Sequence, residues 1–173
     1  GLDLYKQEWF RPRRPGCPSP PSPGAGVVAD EAGYLALRPY LFPVPAVERT
    51  RWEGWAAEQA RGEAVLWFTV DGFFWFARSL LGIERHLFAF HDQPRLLHRM
   101  SEDLTEWVLR VMDEVCAICT PDYMTFGEDL SYNHGPMLSP EQFEEFLAPY
   151  YRALIPVLKA RGIGTLDLTG GAP

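Results

Sequence analysis

A continuous apolar heptapeptide, Ala64-Val65-Leu66-Trp67-Phe68-Thr69-Val70, constrains the fold of this chain more than any other stretch; Gly62 precedes it and Asp71-Gly72 ends it. A run of that length without polar alternation fits a strand buried on both faces, and such strands belong mainly to parallel sheets covered by helices. Residues 122–126 and 164–168 are shorter runs of the same kind. The segments between them read as helices. Trp52, Trp55, Ala56 and Gln59 fall at helical spacing before Gly62, and Phe73 to Leu81 and Glu84 to His91 form two short helical stretches separated by Gly82. Leu96, Leu97, Met100, Leu104, Trp107, Val108, Val111, Met112 and Val115 then repeat at steps of three and four. That helix starts at Asp92-Gln93-Pro94, with Asp92 or Gln93 as its cap, and runs to about Cys119 before Pro121.

Ser139-Pro140-Glu141-Gln142 has the pattern of a capping box with proline just inside the helix, so another helix begins there. Phe143, Phe146, Leu147, Tyr150, Tyr151, Leu154, Ile155 and Leu158 give its apolar face; Pro149 and Pro156 bend or split it, and Gly162 ends it. The order strand, helices, strand, helix, strand predicts an α/β fold with parallel pairing through crossovers, either a TIM (β/α)8 barrel or an open doubly wound sheet. A complete barrel takes eight strands and ~250 residues. With three clear strands in 173 residues, the chain is expected to be part of a larger domain.

The N-terminal part is different in kind. Residues 1–10 show no clear period, and 11–26 (RPRRPGCPSPPSPGAG) are rich in proline, glycine and serine, as expected of an extended surface loop. The chain therefore divides into an N-terminal segment with a Pro-rich loop, 1–29, and a barrel domain, 30–173. Prolines 39, 43 and 45 exclude a long helix at the start of the latter.

Composition narrows the function classes. With 47% hydrophobic and 23% charged residues the chain is expected to fold as an ordinary soluble domain. A formal net charge of -7, relieved only by Arg11, Arg13 and Arg14, argues against nucleic acid or an anionic membrane as partner. The most apolar stretch, Ala64 to Leu81, is broken by Asp71, Gly72 and Arg78, which speaks against a membrane span. Three cysteines and no secretory pattern predict reduced thiols and a cytoplasmic protein.

Parallel strands bring their carboxyl ends to one face, where α/β proteins usually meet ligands. The polar residues placed there are Asp71, then Glu128 and Asp129, and Asp167, with Tyr132 and His134 in the loop that runs to Ser139. A solvated loop serving turn chemistry is the competing reading of that loop. Buried carboxylates from separate strands need a cation, a donor or water. Arg78, seven residues beyond Asp71, is the nearest strong cation, and structural neutralisation and ligand binding are both open to it. Phe74, in the aromatic run 73–76, belongs either to the core or to the wall of a pocket for a flat ligand.

Other motifs are weaker. Cys116-Ala117-Ile118-Cys119 is a single CxxC and reads as core. His86, His91 and His98 lie at spacings of five and seven, unsuited to a shared metal, and are expected at surfaces or helix ends. Ser131 has no identifiable base, and there is no GxGxxG or phosphate loop.

The series Gly72-Phe73-Phe74-Trp75-Phe76-Ala77-Arg78, Leu81-Gly82, Asp92-Gln93-Pro94, Glu128-Asp129, Gly135-Pro136-Met137-Leu138-Ser139-Pro140, Phe143, Phe146, Pro149-Tyr150-Tyr151 and Gly162 resembles the uroporphyrinogen decarboxylase family, in particular its divergent members. The likeness covers roughly 30–171. It implies part of a TIM barrel with the active site at the carboxyl face of the strands, and carbon–carbon cleavage of an anionic, tetrapyrrole-like small molecule without a cofactor. Under it Asp71, Glu128 and Asp129 are the catalytic candidates, and Phe74, Arg78, Tyr132, His134 and Asp167 the substrate-binding ones, with no metal. A second branch of the superfamily transfers methyl groups with a corrinoid protein as partner and holds zinc through a His-x-Cys pair; Asp167 and Thr169 stand at those positions here. A catalytically silent or truncated barrel is the remaining alternative.

Overall fold

The computed structural model describes residues 4–169, and for 165–169 it describes the backbone. Four strands, β1 (Tyr5–Phe10), β2 (Val65–Asp71), β3 (Tyr123–Gly127) and β6 (Thr165–Thr169), form one sheet in the order β1-β2-β3-β6, and every pairing is parallel. Each main strand thus lies beside the next one along the chain. The expected mixed helix/sheet fold with parallel strands is present. β1 is an addition, because residues 5–10 showed no period in the sequence.

Helices fill the connections. Between β1 and β2 lie α1 (Glu31–Leu37), a short 3-10 turn and α2 (Arg49–Ala60). Between β2 and β3 lie α3 (Phe73–Leu81), α4 (Ile83–Asp92) and α5 (Pro94–Cys116), the last about 35 Å long at ~1.5 Å per residue. After β3 come a small hairpin of β4 (Ser131–Tyr132) and β5 (Gly135–Pro136), then α6 (Pro140–Phe146) and α7 (Ala148–Ala160). The capping box at Ser139 and Gln142 is formed. The long apolar run after it splits at Leu147, with Pro149 in the first turn of α7, while Pro156 is tolerated inside that helix. At the start of α5, Gln93 stands at the cap position but makes no side-chain cap; its amide donates to Ala29 O instead (3.1 Å).

Side chains alternate across the sheet, and the two faces differ. Phe10, Leu66, Phe68, Val70, Met124 and Phe126 are buried in the main core with the helices. Phe10 stacks on Trp52 of α2, and Phe126 meets Tyr151 of α7 edge-on. The opposite face is built in layers. Tyr5, Trp67 and Tyr123 form an aromatic row with ring centroids 5.7 and 5.1 Å apart. Gln7, Thr69 and Thr125 form a hydrogen-bonded row above it (2.9 and 2.7 Å), and Trp9 and Asp71 (2.9 Å) the next.

The Pro-rich segment is a surface loop, as expected, with residues 18–24 exposed, and its end is tied to α3. Val27 and Val28 N–H both donate to Leu80 O (2.7 and 3.0 Å), and Ile83 N–H donates to Gly24 O (3.2 Å). Gly26 and Gly82 allow this close approach: a Cβ on Gly26 would lie 2.1 Å from the Leu81 carbonyl, and Gly82 has φ +79°. Backbone hydrogen bonds supply the order that the segment's side chains lack. Among the described residues no helix is long and apolar enough to cross a membrane.

Candidate functional site

β2 ends in Asp71 and turns at once into α3, so the corner Asp71-Gly72-Phe73 stands at the carboxyl edge of the sheet. Asp71 is only 2% exposed. Its Oδ1 accepts from the Trp9 indole N–H (2.9 Å) and from Arg11 Nη1 (3.3 Å). The Arg11 guanidinium carbon lies over the Trp9 ring, 3.5 Å from its centre, and the Arg11 side chain remains 47% exposed. Trp9 in turn lies across Gly127, where a Cβ would come within 2.6 Å of the indole. Burial pushes the Asp71 carboxyl above its ordinary range, against the pull of Arg11, the Trp9 hydrogen bond and Arg13. Arg13 is held by Ser79, donating from Nη2 to its carbonyl (2.9 Å) and hydroxyl (2.8 Å).

Glu128 occupies the other side of the corner and is fully engaged there. Its carboxylate accepts from the backbone N–H groups of Phe74 (3.2 Å) and Trp75 (2.8 Å) and from the Tyr151 hydroxyl. It therefore caps the amino end of α3 from the loop after β3, satisfying donors that a helix start leaves without partners. The fit requires glycine at 72, since a Cβ there would lie 2.1 Å from Glu128 Cδ. Burial raises the Glu128 pKa to about 7, the hydrogen bonds opposing and the neighbouring Asp71 charge adding to the rise.

Asp71 and Glu128 are brought together as expected at the carboxyl face; other candidates are placed differently. Asp129 turns away to pair with Arg78. Arg78 is thus not the cation of Asp71: Arg11 holds that place, because β1 runs beside β2 and delivers the following loop to the corner. Phe74 does not wall a pocket; at 1% exposure it packs against His86 and Phe90 in the core. His86, expected at a surface or helix end, is buried in the same place, with its pKa lowered to about 3 by burial and then by Arg78. Tyr132 (58% exposed) and His134 pack edge-on against each other on the β4–β5 hairpin, and neither bonds to Asp71 or Glu128. The Asp167 side chain lies outside the described residues; its backbone stands in register beside Thr125. Cys116 and Cys119 pack against the core, as expected. Among the described residues no three His, Cys, Asp or Glu side chains gather to hold a metal ion.

Trp9, Arg11 and Arg13 are the site residues that sequence reasoning missed. The available signal was the alternation Tyr5, Gln7, Trp9 leading into Arg-Pro, and the intervening Lys6 and Glu8 obscured it. No known family model matches the chain, and no curated protein is similar enough to it to count as a relative.

Proposed function

We propose that this sheet is part of a (β/α)8 barrel of the uroporphyrinogen decarboxylase kind, and that the Asp71 corner removes a carboxylate as CO2 from an anionic small molecule without a cofactor. Support for the barrel comes from strands that follow one another in chain order, all parallel, with helices packed on one face and layered side chains on the other. Such layers fill the interior of a barrel. The chemistry rests on one observation: a buried carboxylate, Asp71, held beside a half-exposed guanidinium, Arg11, at the carboxyl edge of the sheet.

In this reading the outer N–H groups of Arg11 take the substrate carboxylate, with Arg13 adding positive potential. The substrate ring first takes up a proton and becomes cationic; the bond between carbon and carboxylate then breaks, its electron pair passes into the ring, CO2 leaves, and the side-chain carbon takes up a proton as the ring gives one back. The positive charge of the protonated ring is stabilised by Asp71, which a buried site makes more effective than water would. Glu128 then has a positioning part, because its oxygens already serve α3 and Tyr151. The same reading makes the protein cytoplasmic, with a small anion and not nucleic acid as its partner.

The test is release of labelled CO2 from a panel of ring-borne acetates, including a porphyrinogen octacarboxylate. Asp71→Asn is expected to lower kcat by about 10²-fold or more, the scale of removing one electrostatic group from an active site. Arg11→Met is expected to act mainly on KM. No release from any member of the panel, or full turnover in Asp71→Asn, would overturn the proposal.

A further inference from the structure

Where the Pro-rich loop folds over α3 it forms a half-open pocket of about 250 Å³, lined among others by Pro20, Ala25, Trp75, Arg78, Ser79 and Ile83. Hydrogen bonds tie its wall to α3 and the start of α4. Backbone bonds tie Val27 and Val28 to Leu80 and Ile83 to Gly24, and Arg13 clamps Ser79. Apart from Arg78 the lining carries no charge. The Arg78 guanidinium sits 5.5 Å from the centre of the Trp75 ring, so cation and indole face the same space.

Arg78 is only partly used. Both of its bonds to Asp129, to the backbone oxygen (3.3 Å) and to the carboxylate, leave from Nη1. Among the described residues Nε and Nη2 donate to no protein group. Asp129 is not part of the cavity lining, and its side chain is 31% exposed, so it can turn to water at small cost. The volume is below the ~300–1,000 Å³ of pockets for drug-sized ligands, which suits a molecule of a few carbons or one ring.

We propose that this cavity binds a small monocarboxylate with an apolar body, its carboxylate on the Arg78 fork in exchange for Asp129 and its body against Trp75, Pro20 and Ile83. A planar guanidinium matches a carboxylate in two parallel bonds, whereas the present pair uses one nitrogen only. The site is separate from Asp71: the cations acting on that carboxyl are Arg11 and Arg13.

Isothermal titration of the full chain with benzoate, and with benzylamine as the cationic counterpart, tests this. Benzoate is expected to saturate one site and benzylamine to show no binding. Arg78→Met should weaken benzoate at least tenfold, Ala25→Leu should do the same by filling the cavity, and Asp129→Asn should tighten it several-fold. Asp71→Asn should leave it unchanged. Absence of benzoate binding, equal binding of benzylamine, or full binding in both Arg78→Met and Ala25→Leu overturns the site; if Arg78→Met fails to fold, Ala25→Leu decides. Binding no tighter in Asp129→Asn overturns the exchange of carboxylates. Loss in Asp71→Asn but not in Ala25→Leu places the ligand at the other corner, which overturns this proposal and leaves the decarboxylase reading standing.

Discussion

Glu128 holds three donors at once, and that occupation sets how its charge behaves with pH. Its carboxyl has an ordinary value of 4.5 and a folded value of about 7, so between them the folded chain keeps a proton that the unfolded chain releases. The stability owed to this group therefore falls as pH rises through that window, by at most about 1.4 kcal/mol per pH unit, and is level above it. In denaturant titrations at pH 5 to 8, Glu128→Gln is expected to remove this part of the slope; an unchanged slope would assign it to other groups. Glu128→Ala strands the Phe74 and Trp75 N–H groups and the Tyr151 hydroxyl, at a cost of ~3 kcal/mol. Gly72→Ala pushes the carboxylate out of its seat and should cost ~1–3 kcal/mol by thermal melting. That cost should shrink in a Gly72→Ala, Glu128→Ala double variant, since the two positions share one contact. The Gly72 and Glu128 identities were visible in the sequence. Their meeting was not, because 56 positions separate them (128 − 72) and only the pairing of Asp71 with Gly127 brings them together.

The start of α6, written locally, formed as read. Ser139 accepts from Gln142 N–H (3.2 Å) while Gln142 Oε1 accepts from Ser139 N–H (2.9 Å), and proline opens α6. Ser139→Ala is expected to cost ~1 kcal/mol in a chemical denaturation curve, with Ser139→Asp largely restoring it; an Ala variant as stable as the parent would mean that tertiary packing alone sets this helix start. β1 shows the opposite case. Its helix-facing positions include Lys6 and Glu8, which break the apolar pattern, and each is matched from α2: Lys6 by Glu58 (3.3 Å), Glu8 by the Trp52 indole (2.6 Å) and Arg51 (3.2 Å). Charged residues can occupy that face because partners 43 to 52 positions away answer them, which no window along the chain can reveal. The Pro-rich segment is the surface loop its composition predicts, and what composition hides is that its end is tied to α3. Its order comes from backbone bonds to α3, and backbone groups carry no sequence signature.

At the scale of the molecule, the sheet has two strands flanked on both sides and two at its margins among the described residues. Hydrogen exchange read by mass spectrometry should find the amides of β2 and β3 slowest and those of β1 faster, since β1 has one neighbouring strand and its Tyr5 is 62% exposed. Equal protection across β1 and β2 would point to a further strand or partner along that margin. The sequence by itself determined the helices from α2 onward, the central buried strands and the parallel α/β class. Those follow from periodicity, caps and breakers, which act within a few residues and are legible as such. Tertiary structure alone decided that residues 5–10 join the sheet, that Arg11 and not Arg78 faces Asp71, that Phe74 is core, and that Glu128 spends its oxygens on the end of α3. Each of those outcomes depends on which strand lies beside which and in what register, and that is settled by burial and hydrogen bonding between distant parts of the chain.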